Sequence, residues 1–356
     1  MNHVFKNDIP IALSYNDVLL VPQYSEIDSR SNINLETNLS PLHKLKIPLI
    51  SINMDTVTGV EMAIAMGKLG GLGILPRFDS EDIQAGKVSK VKKAKVLTAA
   101  AVGCKDGFMG RAEKLANAGA DIITLDVAHA QLKKAIDATR ELKNRFPNLT
   151  IISGVIATYE GAKALFEAGA DSVRVGVGNG TICTTRIQTG FGVSQITALL
   201  EVARAAREFG KTLLADGGTE NSGDIVKGLA IGASAIISGS QLAGTDEAPG
   251  EIVMVNEEKF KKYNASTSLE EKLKHIGNDS TDKGNSYTKH IEGVEALIRY
   301  KGSVADVVER LMSGVRSGFS YCGARNINEL WEKAEFIRIT HTGLHENGVH
   351  NVHQIG

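Results

Sequence analysis

The chain predicts an α/β fold, a closed (β/α)8 TIM barrel of parallel strands alternating with helices, and three observations predict it. A seam recurs four times, at steps of roughly 50 residues, joining the end of a helix through glycine to a β-branched run. Four further apolar runs lie between the seams, which brings the number of strands to eight. All eight runs are nearly continuous in apolar residues rather than alternating, as the strands of a parallel sheet covered on both faces must be.

In chain order, the first strand is Pro48-Leu49-Ile50-Ser51-Ile52. The second follows the seam Lys68-Leu69-Gly70-Gly71-Leu72-Gly73-Ile74, and the third is Val96-Leu97-Thr98-Ala99-Ala100. The fourth follows Asn117-Ala118-Gly119-Ala120-Asp121-Ile122-Ile123, and the fifth is Leu149-Thr150-Ile151-Ile152-Ser153. The sixth follows Glu167-Ala168-Gly169-Ala170-Asp171-Ser172-Val173, the seventh is Lys211-Thr212-Leu213-Leu214-Ala215, and the eighth follows Ala230-Ile231-Gly232-Ala233-Ser234-Ala235-Ile236. The spacing leaves room for two strand–helix units per step. The alternative is a doubly wound open sheet, which does not require the eighth strand to close on the first. From about Lys259 to His290 the chain turns polar, which reads as a mobile excursion or flap, with a plain exposed connection as the alternative. Periodicity resumes at Val304-Ala305-Asp306-Val307-Val308-Glu309-Arg310-Leu311-Met312 as an amphipathic helix. The expectation is one catalytic domain over 1–356, with a flap at about 259–290 and a C-terminal extension.

Bulk properties narrow the function. The chain has 356 residues, 42% of them hydrophobic, and a net charge of −1. That is ample for a large core and offers nothing to nucleic acid or a membrane surface. No apolar run reaches the length of a membrane span, and Met1-Asn2-His3 opens no signal-peptide pattern. Three cysteines, Cys104, Cys183 and Cys322, are odd in number and far apart. They form neither a disulfide framework nor a zinc site, and a reducing, cytoplasmic setting is the expectation.

In a barrel of this kind chemistry gathers at the C-terminal ends of the strands. There the sequence places Asn53-Met54-Asp55-Thr56, Asp126-Val127-Ala128-His129, Gly154, Asp216-Gly217-Gly218 and Gly239-Ser240. The sixth strand runs into Val175-Gly176-Val177-Gly178-Asn179-Gly180-Thr181-Ile182-Cys183-Thr184-Thr185-Arg186. A thiol is a strong nucleophile only as thiolate, so it needs an electropositive, hydrogen-bonding pocket. Bare glycine N–H and C=O groups can supply contacts to an anion or a cation. A glycine turn with a buried cysteine is the alternative for such a stretch taken alone. Asp216 before two glycines suits the two hydroxyls of a ribose, with Gly217, Gly218, Gly239 and Ser240 beside a phosphate; the alternative is a turn-capping Asp. Asp126 could equally cap the next helix. His129 is read as a packing histidine. His341, His345, His350 and His353 are irregularly spaced and read as a solvated tail rather than a metal site. Glu292, just beyond the polar stretch, could partner Thr185 in moving a proton, which threonine cannot do alone at neutral pH.

These segments resemble the IMP dehydrogenase/GMP reductase family over nearly the whole chain. The resemblance is carried by Ser14-Tyr15-Asn16-Asp17-Val18-Leu19-Leu20-Val21-Pro22, Asn53-Met54-Asp55-Thr56-Val57-Thr58 and the Cys183 loop. Thr189-Gly190-Phe191-Gly192-Val193, Ala215-Asp216-Gly217-Gly218, Ser222-Gly223-Asp224-Ile225 and Gly239-Ser240-Gln241-Leu242-Ala243-Gly244 add to it, and Ser317-Gly318-Phe319-Ser320-Tyr321-Cys322-Gly323 completes it. The resemblance implies a barrel tetramer acting on IMP, XMP or GMP with NAD or NADP. Cys183 would attack C2 of the purine, and Thr185 with Glu292 would form a proton relay. Asp216 would hold the ribose, and Thr181, Gly218, Gly239, Ser240 and Tyr263 the phosphate. Asp126 would face the nicotinamide, and the backbone oxygens of Gly178, Gly180 and Cys183 would line a potassium site. The chain departs from the dehydrogenase pattern in two ways. Lys90-Val91-Lys92-Lys93-Ala94-Lys95-Val96 passes straight across the point where regulatory CBS modules are inserted, and Asp279 to His290 holds no Arg-Tyr pair. Three further segments depart from the family pattern: Gly154-Val155-Ile156, Ala130 after His129, and Tyr263-Asn264-Ala265-Ser266-Thr267-Ser268. The expected function is therefore an IMP dehydrogenase-like oxidoreductase, with GMP reductase, or a degenerate nucleotide-binding homologue with little turnover, as the alternatives.

Overall fold

A computed structural model describes residues 9–278 and 289–349. Its centre is a closed barrel of eight parallel strands: β1 Leu49–Ser51, β2 Leu72–Leu75, β3 Ala99–Val102, β4 Ile122–Asp126, β5 Thr150–Ile156, β6 Ser172–Val175, β7 Thr212–Asp216 and β8 Ala235–Ser238. Closure is direct, since Ile236, Ile237 and Ser238 of β8 pair in parallel with Leu49, Ile50 and Ser51 of β1. The open-sheet alternative is thereby excluded. Helices α1 Val60–Lys68, α2 Glu81–Lys93, α3 Phe108–Asn117, α4 Lys133–Arg145, α5 Tyr159–Glu167, a short α6 Thr185–Thr189, α7 Gln195–Phe209 and α8 Ser222–Ile231 follow the strands in turn.

The four seams behave as their glycines require. Helices α1, α3, α5 and α8 end just before Gly70, Gly119, Gly169 and Gly232, all of which have positive φ. That left-handed turn releases the chain into the next strand without the Cβ clash that any other residue would meet. The helix starts are fixed by side chains that accept backbone N–H groups: Ser80 for α2, Thr158 for α5 and Asn221 for α8. One strand is shifted from expectation. Residues 96–98 do not join the ladder; Thr98 N–H bonds the Asp121 carboxylate instead, and β3 begins at Ala99.

Two apolar layers result. The barrel interior holds Ile50, Leu72, Ile74, Ala99, Ala101, Ile122, Ile152, Leu214, Ala235 and Ile237, closed off by Leu39 and Leu45. Those last two belong to a hairpin, Thr37–Asn38 with Lys44–Leu45, beneath the strand starts. Thr212 Oγ1 donates to the Leu39 carbonyl there, and Ser40 bonds Thr150. The second layer lies between strands and helices.

After β8 the chain leaves the barrel and returns as α10 (Val304–Tyr321), which packs on α8 and α1 and completes the helical ring. Between them stands an antiparallel sheet of β9 Val253–Val255, β10 Glu258–Asn264 and β11 Glu295–Arg299, with α9 Leu269–Asn278 at its side. The expected flap of 259–290 is thus, in its described part, a strand and a helix. Lys261, Tyr263, Asn264, Ser268, Glu271, Lys272 and His275 are all buried in it. Polarity misled here because these groups are paired rather than solvated: Lys261 Nζ donates to three backbone carbonyls, and Asn264 Nδ2 to Glu270 and Glu271. Residues 279–288 of that stretch, and His350 and His353, lie outside the described residues. The chain runs from α2 to β3 through residues 94–98 alone.

Candidate active site

All the residues proposed from sequence line one cavity of about 280 Å³ at the C-terminal end of the barrel. Its wall includes Asp126, Gly178, Gly180, Thr181, Cys183, Thr185, Asp216, Gly217, Gly218, Gly239, Ser240, Tyr263 and Glu292. That size is just below the roughly 300–1,000 Å³ usual for small-molecule sites.

The floor is ionic. Arg174 points inward from the middle of β6 and is almost fully buried. Its Nε and Nη2 both meet Asp216 Oδ2, at 2.8 and 2.7 Å, and its Nη1 meets Asn53 Oδ1 at 2.9 Å and Asp126 Oδ1 at 3.0 Å. Arg77, from the turn after β2, adds 3.1 Å to Asp126 Oδ2. Two cations and two carboxylates therefore balance. Burial works against ionisation of Asp126, yet Arg174 and Arg77 outweigh it and hold its carboxyl below the ordinary value. For Asp216 burial is the larger influence and raises it, with Arg174 pulling the other way. Asp126 does not cap α4, whose first residue follows Leu132 with no side-chain acceptor.

One rim of the cavity is rich in small groups and hydroxyls. Gly217 and Gly218 both have a φ of +80°, and Asn179 Nδ2 spans the carbonyls of Asp216 and Gly217 at 2.9 and 3.1 Å. Thr181 Oγ1 lies 3.4 Å from Ser240 Oγ, which joins the β6 loop to the end of β8. The Tyr263 hydroxyl reaches in from β10 beside Gly239, where a Cβ would stand 2.7 Å from it. Burial raises Tyr263 far above the usual phenol range, so it remains a neutral donor. Backbone N–H groups and three hydroxyls together suit a phosphate.

The Cys183 loop crosses the rim. Cys183 is half-buried, and its thiol donates to Thr185 Oγ1 at 3.2 Å. The Thr185 hydroxyl in turn donates to Glu292 Oε2 at 2.6 Å. This pairing is built by backbone: Thr184 N–H bonds the Glu292 carbonyl, Val294 N–H bonds the Ile182 carbonyl, and Cys183 bridges to Gly293 in antiparallel register. Burial opposes the charge on Glu292, but the hydroxyl of Thr185 and the ring of His290 more than offset this and hold its carboxyl below the ordinary value. The Gly180 carbonyl accepts the Cys183 N–H at 3.0 Å, so one of the three oxygens expected around potassium also closes the loop.

Sequence reasoning overlooked Arg174, Arg77 and His290. Arg174 had a legible signal, a lone charge between Val173 and Val175 in an apolar strand that lies beside Asp216. Arg77 and His290 sit on loops, where no periodicity singles them out. His129 lines no part of the cavity, and Cys104 and Cys322 are unpaired, as is Cys183.

Comparison with known proteins places the chain as a whole. The family described as IMP dehydrogenase / GMP reductase domain matches residues 12–350. Inosine-5'-monophosphate dehydrogenase of Cryptosporidium parvum is 38% identical over 384 positions, covering 96% of this chain and 95% of that protein. The enzyme of the same name from Nitrosopumilus maritimus is 34% identical over 469 positions, covering 96% and 98%. Among solved structures, a Cys-to-Ala variant of GMP reductase from Trypanosoma brucei, in complex with guanosine 5'-monophosphate, superimposes with a TM-score of 0.92 at 30% identity, over 97% of this chain and 99% of that one.

Proposed function

We propose, from the premise that this chain belongs to the IMP dehydrogenase/GMP reductase family, that it oxidises IMP to XMP with NAD and water through a covalent bond between Cys183 and C2 of the purine. The observation that carries this reading is the file from the Cys183 thiol through Thr185 to Glu292, set at the mouth of a phosphate cradle.

The residues divide the work. Thr181, Gly218, Gly239, Ser240 and Tyr263 take the phosphate, and Asp216 takes the ribose hydroxyls. The base then lies over Cys183, whose sulfur bonds to C2. Arg77 and Asp126, a donor and an acceptor on the wall built by β2 and β4, fit an amide-bearing ring. The nicotinamide cofactor, when bound, supplies the hydride acceptor. Thr185 and Glu292 then draw a proton from the water that attacks C2, the S–C2 bond breaks, and XMP leaves. The carbonyls of Gly178, Gly180 and Cys183 form an oxygen set of the kind that suits potassium. A homotetramer in the cytoplasm completes the proposal.

A second reading is supported by the lack of any Arg from 279 to 290 and by the likeness to GMP reductase. In it Cys183 displaces ammonia from GMP, and NADPH returns hydride to give IMP. Two spectrophotometric assays, each with and without potassium, decide. IMP with NAD is expected to generate NADH. Consumption of NADPH with GMP instead selects the reductase direction. Binding of either nucleotide with both assays silent identifies a degenerate homologue. Cys183→Ala is expected to abolish turnover while keeping nucleotide affinity within a few-fold; turnover in that variant contradicts the covalent route.

A further inference from the structure

Outside the wall of the catalytic cavity, Asp55, Glu271 and His275 each offer a ligand atom within 4.8 Å of the other two. Two elements supply them. Asp55 lies in the turn after β1, while Glu271 and His275 stand four residues apart on α9 and so share a helix face. Thr56 holds turn and helix together, since its hydroxyl accepts the Asn264 N–H at the end of β10 at 3.1 Å. The imidazole plane is set by Phe78, whose ring stacks on it with centroids 3.8 Å apart and an interplanar angle of 4°.

The protein matches these groups only in part. The Glu271 side chain is buried, and Asn264 Nδ2 and Lys274 Nζ both bond its Oε1. The His275 side chain is 9% exposed, and its Nε2 lies 3.3 Å from Asp55 Oδ2. Its Nδ1 is buried with no hydrogen-bond partner among the described residues. A carboxylate only accepts, so a neutral ring bonded to it carries its proton on Nε2. The lone pair on Nδ1 is then taken up by nothing in the protein. A cation at either ring nitrogen uses that lone pair and leaves the proton to the other. The separation of 3.3 Å fits as well. It exceeds the ~2.7–2.9 Å of a charge-assisted hydrogen bond. It matches the roughly 3.3–3.4 Å between two ligands of a tetrahedral ion with bonds of about 2.0–2.1 Å.

We propose that Asp55, Glu271 and His275 bind a divalent transition cation, which ties α9 to the end of β1. The ligand types select the class. An imidazole disfavours Mg²⁺ and Ca²⁺, which prefer oxygen throughout, and the lack of a thiolate disfavours Cu(I). Zn²⁺ and its first-row neighbours accept carboxylate and imidazole together, with water completing the shell. Two carboxylates balance the charge of such an ion. The site shares no residue with the purine cavity or with the potassium site proposed in the Cys183 loop, so it stands or falls independently of the enzymatic reading.

Calorimetric titration of Zn²⁺ alone into the full chain, stripped with chelator and free of nucleotide, tests the site. One ion per chain is expected at it. Asp55→Asn and His275→Gln should each weaken that binding by at least ~100-fold, the most that losing a group which only orients a ligand costs. His341→Gln, in the C-terminal segment, should bind as the wild type does. Co²⁺ in place of Zn²⁺ should give the visible bands of a tetrahedral ion without a thiolate charge-transfer band, which separates this site from the three cysteines. Saturating Zn²⁺ should raise the unfolding temperature of the wild type and leave that of Asp55→Asn unmoved. If His275→Gln fails to fold, Asp55→Asn decides, because the Asp55 side chain is partly exposed. Three results overturn the proposal: no saturable binding up to about 1 mM, undiminished binding in Asp55→Asn, or a thiolate band with Co²⁺.

Discussion

At the scale of single residues, the site is governed by charges that are buried and paired. Arg174 is satisfied by Asp216, Asn53 and Asp126 together. Removing one partner leaves a cation in a medium that solvates it poorly. Asp216→Ala is therefore expected to lower stability by about 3 kcal/mol and to weaken nucleotide binding at the same time. Thermal unfolding and calorimetry check the pair of effects, and an unaltered affinity would remove Asp216 from the ribose. Lys301 carries a second prediction. Its ammonium donates to the carbonyls of Ser240 and Gln241, just past the end of β8, and burial lowers it from 10.5 to about 8. Below pH 8 both folded and unfolded chains hold this proton, and the cost of burying the charge is present in full. Between about 8 and 10.5 the folded chain releases it while the unfolded chain keeps it, so folding gains as pH rises. The unfolding temperature of the wild type relative to Lys301→Met should accordingly climb across that window; a flat or falling difference contradicts the assignment.

At the scale of elements, the reactive geometry depends on two segments stitched together, the Cys183 loop and residues 292–294. Gly293 permits the stitch. A Cβ there would stand 2.2 Å from the Cβ of Ala265 and 3.0 Å from Thr267 Oγ1. Gly293→Ala must push the segment away from the loop and carry Glu292 off Thr185. A displacement near 1 Å at reacting groups costs about 10²-fold in rate, so kcat is expected to fall by that order with nucleotide affinity nearly unchanged. Equal losses in both would mean that the cradle, not the relay, depends on this contact. Such coupling explains what could be read in advance. The seams at Gly70, Gly119, Gly169 and Gly232 were legible because a glycine at a helix end acts locally. The ordered β10 and α9 were not, because Lys261 is satisfied by backbone carbonyls before the polar run and Asn264 by Glu270 and Glu271 within it, and a polar run carries no mark of its partners.

At the scale of the whole molecule, the barrel does what its closure requires. Eight strand ends meet in one ring, so residues as distant as Asn53 and Glu292 share one cavity. That Cys183, Thr185, Asp216, Gly218, Gly239 and Ser240 would share one cavity was legible from strand-end chemistry and from the family resemblance. Arg77 and His290 were not, since only the folded ring brings them to Asp126 and Glu292. The central claim is that the Cys183 sulfur meets C2 of a purine whose phosphate is held among Thr181, Gly218, Gly239 and Ser240. A crystal structure of the protein with IMP bound tests this most directly. The account predicts the phosphate among Thr181, Gly218, Gly239 and Ser240, with C2 bonded to the sulfur or within about 3.5 Å of it. A base lodged elsewhere, with the phosphate away from those residues, would contradict it.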